Sequence, residues 1–267
     1  MDVKDKVVVV TGAASGIGKA MAEKFAAEGA KAVAVADLDF EGAKKVAAGI
    51  GPVAKAYNLD VTKQDSVNAM VADLEAAHGP IDLYCSNAGI IFSDAPTWTV
   101  INCTDDQWQK IWEVNVLAHV LACRAVLPGM IERKSGGFLI TASAAGLLSQ
   151  IGDASYSTTK HAAVGFAESL AITHGDDGIY VGCLCPQAVE SKMTAGAENS
   201  SAAVDGLMKA SEFANRVYAA MLEGKFMIRP HEQVEGYFKH KAENYDRWVG
   251  GMRKFRRHQM ATTGRPI

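Results

Sequence analysis

The chain has 267 residues, 49% of them apolar and 21% charged, and a formal net charge of −3. That length suits one large domain or two small ones, and the balance of apolar to charged residues excludes a chain that stays disordered. Its 25 glycines are scattered rather than periodic, so collagen-like and linker readings fail. In chain order, a strand at 6–10 leads to a helix at 16–28, and a strand at 31–36 to a helix at 40–48. The same alternation continues with strand 53–57 and helix 63–78, strand 81–86 and helix 105–132, strand 137–141 and helix 154–174, then strand 179–184 and helix 205–223. A short seventh strand is expected at 225–228. The strand segments are continuously apolar rather than alternating, as strands covered on both faces should be, and the helical segments repeat apolar residues at i, i+3, i+4 and i+7. Such regular alternation requires crossover connections, which predicts an α/β fold with a doubly wound, Rossmann-type parallel sheet of about seven strands and helices on both faces.

The amino terminus, 1–6, is charged, and the apolar run after it, 7–10, is far shorter than the roughly 7–15 residues of a signal peptide or the about 20 of a spanning helix. A cytoplasmic protein without a membrane span is therefore expected. Cys85, Cys103, Cys123, Cys183 and Cys185 contain no CxxC pair and read as small core residues, so no metal site is expected. His174, His231 and His240 form no ligand cluster either and are expected at the surface.

Directly after the first strand, Thr11-Gly12-Ala13-Ala14-Ser15-Gly16-Ile17-Gly18 runs into a helix. Glycines there let the backbone turn tightly and approach a pyrophosphate, while the helix amino terminus offers free N–H groups and a positive dipole end. About twenty residues on, at the end of the second strand, stands Asp37, followed by Leu38. A carboxylate at that point accepts from the adenosine ribose hydroxyls, whereas a 2′-phosphate would bring like charges together. With no Arg or Lys at 13, 14 or 38, the expected cofactor is NAD rather than NADP. Asp60-Val61, after the third strand, is placed to meet the adenine ring, and equally to cap the helix that follows.

The helix opening near Ala154 carries Tyr156 and Lys160, an i, i+4 pair whose Cβ atoms lie about 5–6 Å apart on one face. A free phenol has a pKa near 10, too high for a base at neutral pH, and a neighbouring cation lowers it. The pair thus reads as a tuned general acid/base. Together with TGAASGIG at 11–18, Asn87-Ala88-Gly89 after the fourth strand, Asn115 in the long helix and Ser143 thirteen residues before Tyr156, the chain resembles the compact, single-domain, NAD-dependent branch of the short-chain dehydrogenase/reductase family over about residues 5–228. The resemblance implies a secondary alcohol or ketone as substrate, with Tyr156 exchanging the proton with the substrate oxygen. It implies that Lys160 lowers the Tyr156 pKa and holds the nicotinamide ribose, that Ser143 stabilises charge on the same oxygen, and that Asn115 positions a water leading from Lys160 to solvent. Asn87, Ala88 and Gly89 fall in the crevice at the strand carboxyl ends, where doubly wound folds bind ligands. A homodimer or homotetramer is implied as well.

Three segments depart from the family. After the sixth strand, Pro186-Gln187 stands where Pro-Gly is usual; Pro186, Val189 and Ser191 remain cofactor contacts, and a left-handed backbone at Gln187 would be costly. The segment 90–104, with Phe92, Trp98, Val100 and Ile101, is longer than usual and is a candidate pocket wall, together with Leu148, Gln150, Ile151 and the region 193–207 beginning at Met193. Ser143, Leu148, Gln150, Tyr156, Gln187 and Met193 are the candidate substrate contacts, and the substrate is expected to be apolar or bulky. Finally, residues 1–230 read as the dinucleotide-binding and catalytic domain, and 231–267 as a basic, aromatic extension. The extension carries +4 against −7 for the rest of the chain, with an aromatic stripe at helical spacing that Gly250-Gly251 interrupts. Packing on the body or across a subunit interface is preferred to contact with nucleic acid or membrane. Two other readings are a 3-oxoacyl-thioester reductase, which Asp37 disfavours through cofactor choice, and a non-catalytic NAD(H)-binding redox sensor, which would normally lack one of Asn115, Ser143, Tyr156 and Lys160.

Overall fold

The structure is a computed structural model describing residues 1–195 and 203–264. Part of the 193–207 region thus lies outside the described residues, as does Arg265 of the extension. Seven parallel strands, β1 (Val7–Thr11), β2 (Ala32–Asp37), β3 (Ala54–Asn58), β4 (Leu83–Ser86), β5 (Gly136–Thr141), β6 (Ile179–Leu184) and β7 (Met227–Ile228), form one sheet in the order β3-β2-β1-β4-β5-β6-β7. The chain runs outward from β1 to β3, then returns to lay β4 against the other side of β1. Val9 is consequently in register with Ala34 on one side and Tyr84 on the other. The crevice between the carboxyl ends of β1 and β4 is the point where strand order reverses.

Alternate residues of each central strand feed two core layers, which explains why the strands read as continuous apolar runs. Val7, Val9, Tyr84, Phe138 and Ile140 join one layer with Leu74, Met130, Ala167 and Leu170. Val8, Val10, Leu83, Cys85 and Leu139 join the other with Met21, Phe25, Phe213 and Met221. The covering helices are α1 (Gly16–Ala27), α2 (Phe40–Ile50), α3 (Gln64–His78), α4 (Asp105–Trp112), α5 (Ala118–Glu132), α7 (Ala154–His174) and α8 (Ala210–Leu222), with a single turn, α6 (Ala145–Leu148), after β5. Thr104 and Gln107 start α4 with a reciprocal capping box.

The stretch read as one helix at 105–132 is divided by a π-helical turn at Glu113–Leu117. The amide of Asn115 in that turn bonds both backbone groups of Ile90, at 2.9 Å each, so a tertiary contact accompanies the extra residue in the turn. By length and a mean hydropathy of 1.6, Asp105–Glu132 also meets the requirement of a spanning helix, but half of that apolar window is buried inside the protein. The helix expected from 205 starts at Ala210 instead. Gly206 has φ +91°, and Met208 lies extended beside Val189, its N–H donating to the Ala188 carbonyl at 3.1 Å.

In the extension, α9 (Glu232–Glu243) and α10 (Tyr245–Thr263) meet at Asn244, whose side chain accepts from the Arg247 N–H at 2.9 Å. The expected interruption at Gly250-Gly251 does not occur. Glycine in a helix costs roughly 1 kcal/mol, less than is needed to break a helix already capped, whereas Asn244 at φ −153° is an extended residue that starts one. Val234 is fully buried in the layer that holds Leu74 and Phe138, and the buried Lys241 ammonium donates to the Leu147 carbonyl at 2.6 Å.

Val234→Ala removes two buried carbons at roughly 0.8 kcal/mol each plus a cavity term. It should therefore cost about 2 kcal/mol and lower the midpoint of the main urea transition. An unchanged main transition would mean that the extension folds apart from the sheet.

Candidate active site

The site is built where β1, β4 and β5 end. Gly18, on the first turn of α1, is packed so closely that a Cβ there would overlap the Gly12 carbonyl and stand 2.7 Å from Asn87 Nδ2. Gly16 has φ +54°, and a side chain on it would meet Ser191 Cβ at 2.8 Å. Asp37 at the end of β2 holds this loop in place: one carboxylate oxygen accepts from the Ala14 N–H and the other from the Asp39 N–H, each at 2.9 Å. Asn87 donates from Nδ2 to the Thr11 carbonyl at 2.9 Å and accepts from the Thr141 hydroxyl at 3.1 Å. Its backbone N–H donates to Thr11 Oγ1 at 2.9 Å. Asp60 accepts from both the N–H and the hydroxyl of Thr62, so it caps locally while also facing the cavity.

On α7, Tyr156 and Lys160 are both buried, with the Lys160 ammonium 5.6 Å from the centre of the phenol ring. That ammonium donates to the Thr141 carbonyl at 2.8 Å, which ties α7 to the end of β5. The i, i+4 spacing alone predicts a lowered phenol pKa, whereas in the structure desolvation raises it. Burial pushes Tyr156 up from its usual value, with the Ser143 hydrogen bond pulling down and Asp153 adding to the rise. Burial likewise pushes Lys160 down to about 8. Gly89 lies against both Asn115 and Lys160: a Cβ on it would stand 3.3 Å from Asn115 Oδ1 and 3.4 Å from Lys160 Nζ. The Asn115 side chain itself is spent on Ile90 and on the Thr159 hydroxyl, at 3.2 Å.

The loop after β6 resolves the question raised by Gln187. Its backbone is not among those with positive φ, so the glycine usual at that position is not required here. His231, expected at the surface, is instead buried beneath this loop. Its Nδ1 accepts from the Gln187 N–H at 3.2 Å, and its Nε2 faces the Ala188 carbonyl at 3.2 Å. An N–H donor on one side and a carbonyl on the other fix a neutral imidazole with its proton on Nε2, in keeping with burial, which pushes its pKa down. The Pro186 carbonyl accepts from the Ala144 N–H at 2.7 Å and from the Ser143 hydroxyl at 3.4 Å. The Ser191 hydroxyl lies 3.2 Å from that of Thr194.

A cavity of about 1060 Å³ runs across all of these elements. With the exception of Asn115, which is wholly buried behind Gly89, every cofactor and catalytic candidate and all six substrate contacts read from the sequence line it, whereas Trp98 and Ile151, also read as pocket wall, are not among its lining residues. One end is formed by Gly12, Ser15, Gly16, Ile17, Gly18, Asp37, Leu38, Asp60 and Val61, the middle by Asn87, Ala88, Gly89, Pro186, Val189 and Ser191, and the other end by Ser143, Leu148, Gln150, Tyr156, Lys160, Gln187 and Met193. The residues present fit a dinucleotide. The glycine cradle admits no side chain, α1 begins at it with no side-chain cap at Ser15 among the described residues, and the buried Gln187 Oε1 has no hydrogen-bond partner among the described residues, leaving an acceptor for an amide N–H.

Sequence reasoning missed several members of this wall. From the segment 90–104 it is Ile90, Ile91 and Ser93 that face the cavity, while Val100 and Ile101 are exposed and Phe92 packs beside Ile111. Tyr237, Trp248, Met252 and Phe255 arrive from the extension, where the aromatic stripe was the available signal. Asp153 also lines the cavity. It is buried beside Asp94, takes a hydrogen bond from the Gln150 amide, and has one oxygen without a partner among the described residues.

Residues 6–202 match the family described as short chain dehydrogenase. The chain is 35% identical to meso-2,3-butanediol dehydrogenase of Serratia marcescens over 193 residues, 72% of this chain and 74% of that one. It is 32% identical to 1-deoxy-11-beta-hydroxypentalenate dehydrogenase of Streptomyces exfoliatus over 254 residues, 90% and 91% of the two chains. Among solved structures, 3-ketoacyl-(acyl-carrier-protein) reductase of Brucella melitensis complexed with NADH superposes with a TM-score of 0.77 at 28% identity, over 85% of this chain and 96% of that one.

Burial pushes the Asp153 carboxyl up to about 7, with the Gln150 amide lowering it and Asp94 raising it. Between pH 4 and 7 the unfolded chain has therefore released a proton that the folded protein still holds, and stability falls as pH rises through that window. Asp153→Asn, neutral throughout, should gain in Tm relative to the parent from pH 4 to pH 7.5. A Tm difference that stays constant over this range would contradict the raised pKa.

Proposed function

The chain belongs to the short-chain dehydrogenase family, and from that membership and the geometry above we propose the roles of its residues in NAD-dependent interconversion of a secondary alcohol and a ketone. The observation that carries the proposal is the convergence of Tyr156, Ser143 and Lys160 on one end of a cavity whose other end is the glycine loop anchored by Asp37. Bound NAD would supply the acceptor for the hydride of the carbinol carbon. Gly12, Gly16 and Gly18 admit the pyrophosphate to the amino terminus of α1. Asp37 and Leu38 receive the adenosine ribose, and Asp60 and Val61 receive the adenine. Pro186, Val189 and Ser191 shape the nicotinamide end, held from behind by His231 and Gly16.

Tyr156 exchanges the proton with the substrate oxygen, and Ser143, whose hydroxyl draws the phenol pKa down, donates to that same oxygen as charge develops on it. Lys160, held by the Thr141 carbonyl, keeps its ammonium beside the phenol and the nicotinamide ribose. Asn115 acts as a positioning residue, fixing Ile90 and the π-helical turn behind Gly89. In this reading residues 1–230 form the catalytic unit and 231–267 an extension packed on it, and the protein works in the cytoplasm as a homodimer or homotetramer.

A second reading, reduction of a 3-oxoacyl thioester, is favoured by the likeness to the Brucella reductase. That enzyme is complexed with NADH, which removes the objection that Asp37 selects the wrong cofactor. Acetoacetyl-CoA as oxidant of NADH separates the two readings: turnover of it above that of simple ketones favours the thioester.

Tyr156→Phe should lose at least about 100-fold in kcat while NADH affinity, read by fluorescence, stays within twofold; near-normal turnover would refute the role. Because burial raises the phenol, alcohol oxidation should run faster at pH 9 than at pH 7, and a flat profile would contradict a phenol base. kcat/KM with NAD should exceed that with NADP, and the reverse order would overturn the assignment of Asp37.

A further inference from the structure

The residues assigned above leave the far end of the cavity, beneath α10, without an occupant. We propose that this end is a chamber for a rigid, uncharged, apolar ring system carrying the reacting carbinol, with Trp248, Met252 and Phe255 as its specificity-determining wall. The proposal rests on the assignment of Tyr156 and Ser143 to the reacting end.

The three residues are four and three positions apart on α10, so they form one stripe on one helix face. None of the residues of α10 is fully buried. Trp248 is half-buried and packs against the core layer that holds Leu148, and with Met252 and Phe255, which are also half-buried, it lines the cavity together with Ile91, Val114 and Leu148. Around the stripe, Arg247, Arg253, Lys254 and Arg257 are exposed to solvent. An amphipathic helix normally buries its apolar face against a packed layer. Here only Trp248 reaches such a layer, and the rest of the stripe borders the cavity that holds Tyr156 and Ser143, an arrangement that gains free energy when an apolar molecule fills it.

Contacts at Trp248 and Arg256, one on each side of Met252, hold the helix over the chamber rather than collapsed into it. Trp248 Nε1 donates to the Leu148 carbonyl at 3.3 Å, and the Arg256 guanidinium donates to the Trp98 carbonyl at 3.0 Å. The first contact joins α10 to α6, the turn that follows Ser143.

The chemistry of the lining selects the occupant. The lining cations other than Lys160 are Lys110, whose charge acts on Asp60, and Lys192, which pairs with Asp39 at 3.2 Å, so both serve the opposite end of the cavity. Among the described residues, an anionic substrate thus finds no free cation in the chamber and instead meets the carboxyl of Asp153. Two aromatic rings and branched aliphatic side chains favour a rigid ring system over a flexible chain, which would lose more conformational freedom on binding. A polyol would surrender hydrogen bonds to water that these walls do not replace.

The test uses the full chain with NAD and three alcohols: 2-decalol, cyclohexanol and galactitol. The expected order of kcat/KM places 2-decalol at least tenfold above cyclohexanol, and galactitol lowest. Trp248→Ala and Phe255→Ala should each raise KM for 2-decalol about tenfold or more, the scale of lost hydrophobic discrimination, with a clearly smaller rise for cyclohexanol and NADH affinity unchanged. Phe255→Leu should recover most of the affinity. Binding of 2-decalol to the NADH-loaded protein, followed by calorimetry, reads the chamber without turnover. Binding weakened by Trp248→Ala supports the chamber even where no alcohol is oxidised, and that combination overturns the dehydrogenase reading alone. Equal binding by parent and variant, a preference for galactitol or acetoacetyl-CoA, or equal loss on both cyclic alcohols overturns the chamber.

Discussion

Asn87 holds the carboxyl ends of β1, β4 and β5 in one arrangement, and both arms of the site depend on it. It belongs to the chain just beyond β4, donates to Thr11 at the end of β1 and accepts from Thr141 at the end of β5. Thr141 in turn receives the Lys160 ammonium through its carbonyl, and the same Asn87 amide fills the space a side chain at Gly18, at the start of α1, would need. A dinucleotide site needs its glycine loop and its catalytic helix at a set distance, and here one side chain fixes both to adjoining strands. The topology makes this possible. Only at the reversal of strand order do β1 and β4 lie side by side with their connecting chains leaving in opposite directions.

The chemistry is set by burial before it is set by charge pairing. Tyr156, Lys160 and Asp153 all lie within the protein, and desolvation is the largest influence on each of them. Burial raises the two acids and lowers the amine, so it drives all three toward their neutral forms. Groups that change protonation cheaply at such a place are suited to passing a proton to and from an oxygen. The nearby Ser86–His119 pair, at 2.6 Å, follows the same rule, with burial holding His119 down at about 3.

What could be read in the sequence was whatever is encoded by near neighbours. The strand and helix alternation, the glycine loop and the Tyr156–Lys160 spacing depend on residues a few positions apart, and Asp37, 23 residues from Ala14, was legible because it ends the strand that follows the loop's helix. The π-helical turn at Asn115 was not legible, because it involves a contact to Ile90, 25 residues away. The start of α8 was displaced by the pairing of Met208 with Val189. His231 looked like an ordinary surface histidine until the loop at Gln187 closed over it, a relation spanning 44 residues. Asn244, not the glycine pair, divides the extension, since a cap is a stronger signal than a modest propensity cost. The aromatic stripe of α10 was visible as a pattern, but whether it faced core, partner or cavity depended on where the helix lands.

The central claim is that the carbinol hydrogen passes directly from substrate to cofactor while the protein handles only the proton. Cyclohexanol carrying deuterium on its carbinol carbon, turned over with NAD in ordinary water, tests it by mass spectrometry of the reduced cofactor. The account predicts NADH one mass unit heavier, with one label for each ketone formed, and no label when unlabelled alcohol is turned over in heavy water. Label appearing in solvent, or NADH formed without it, would contradict the claim.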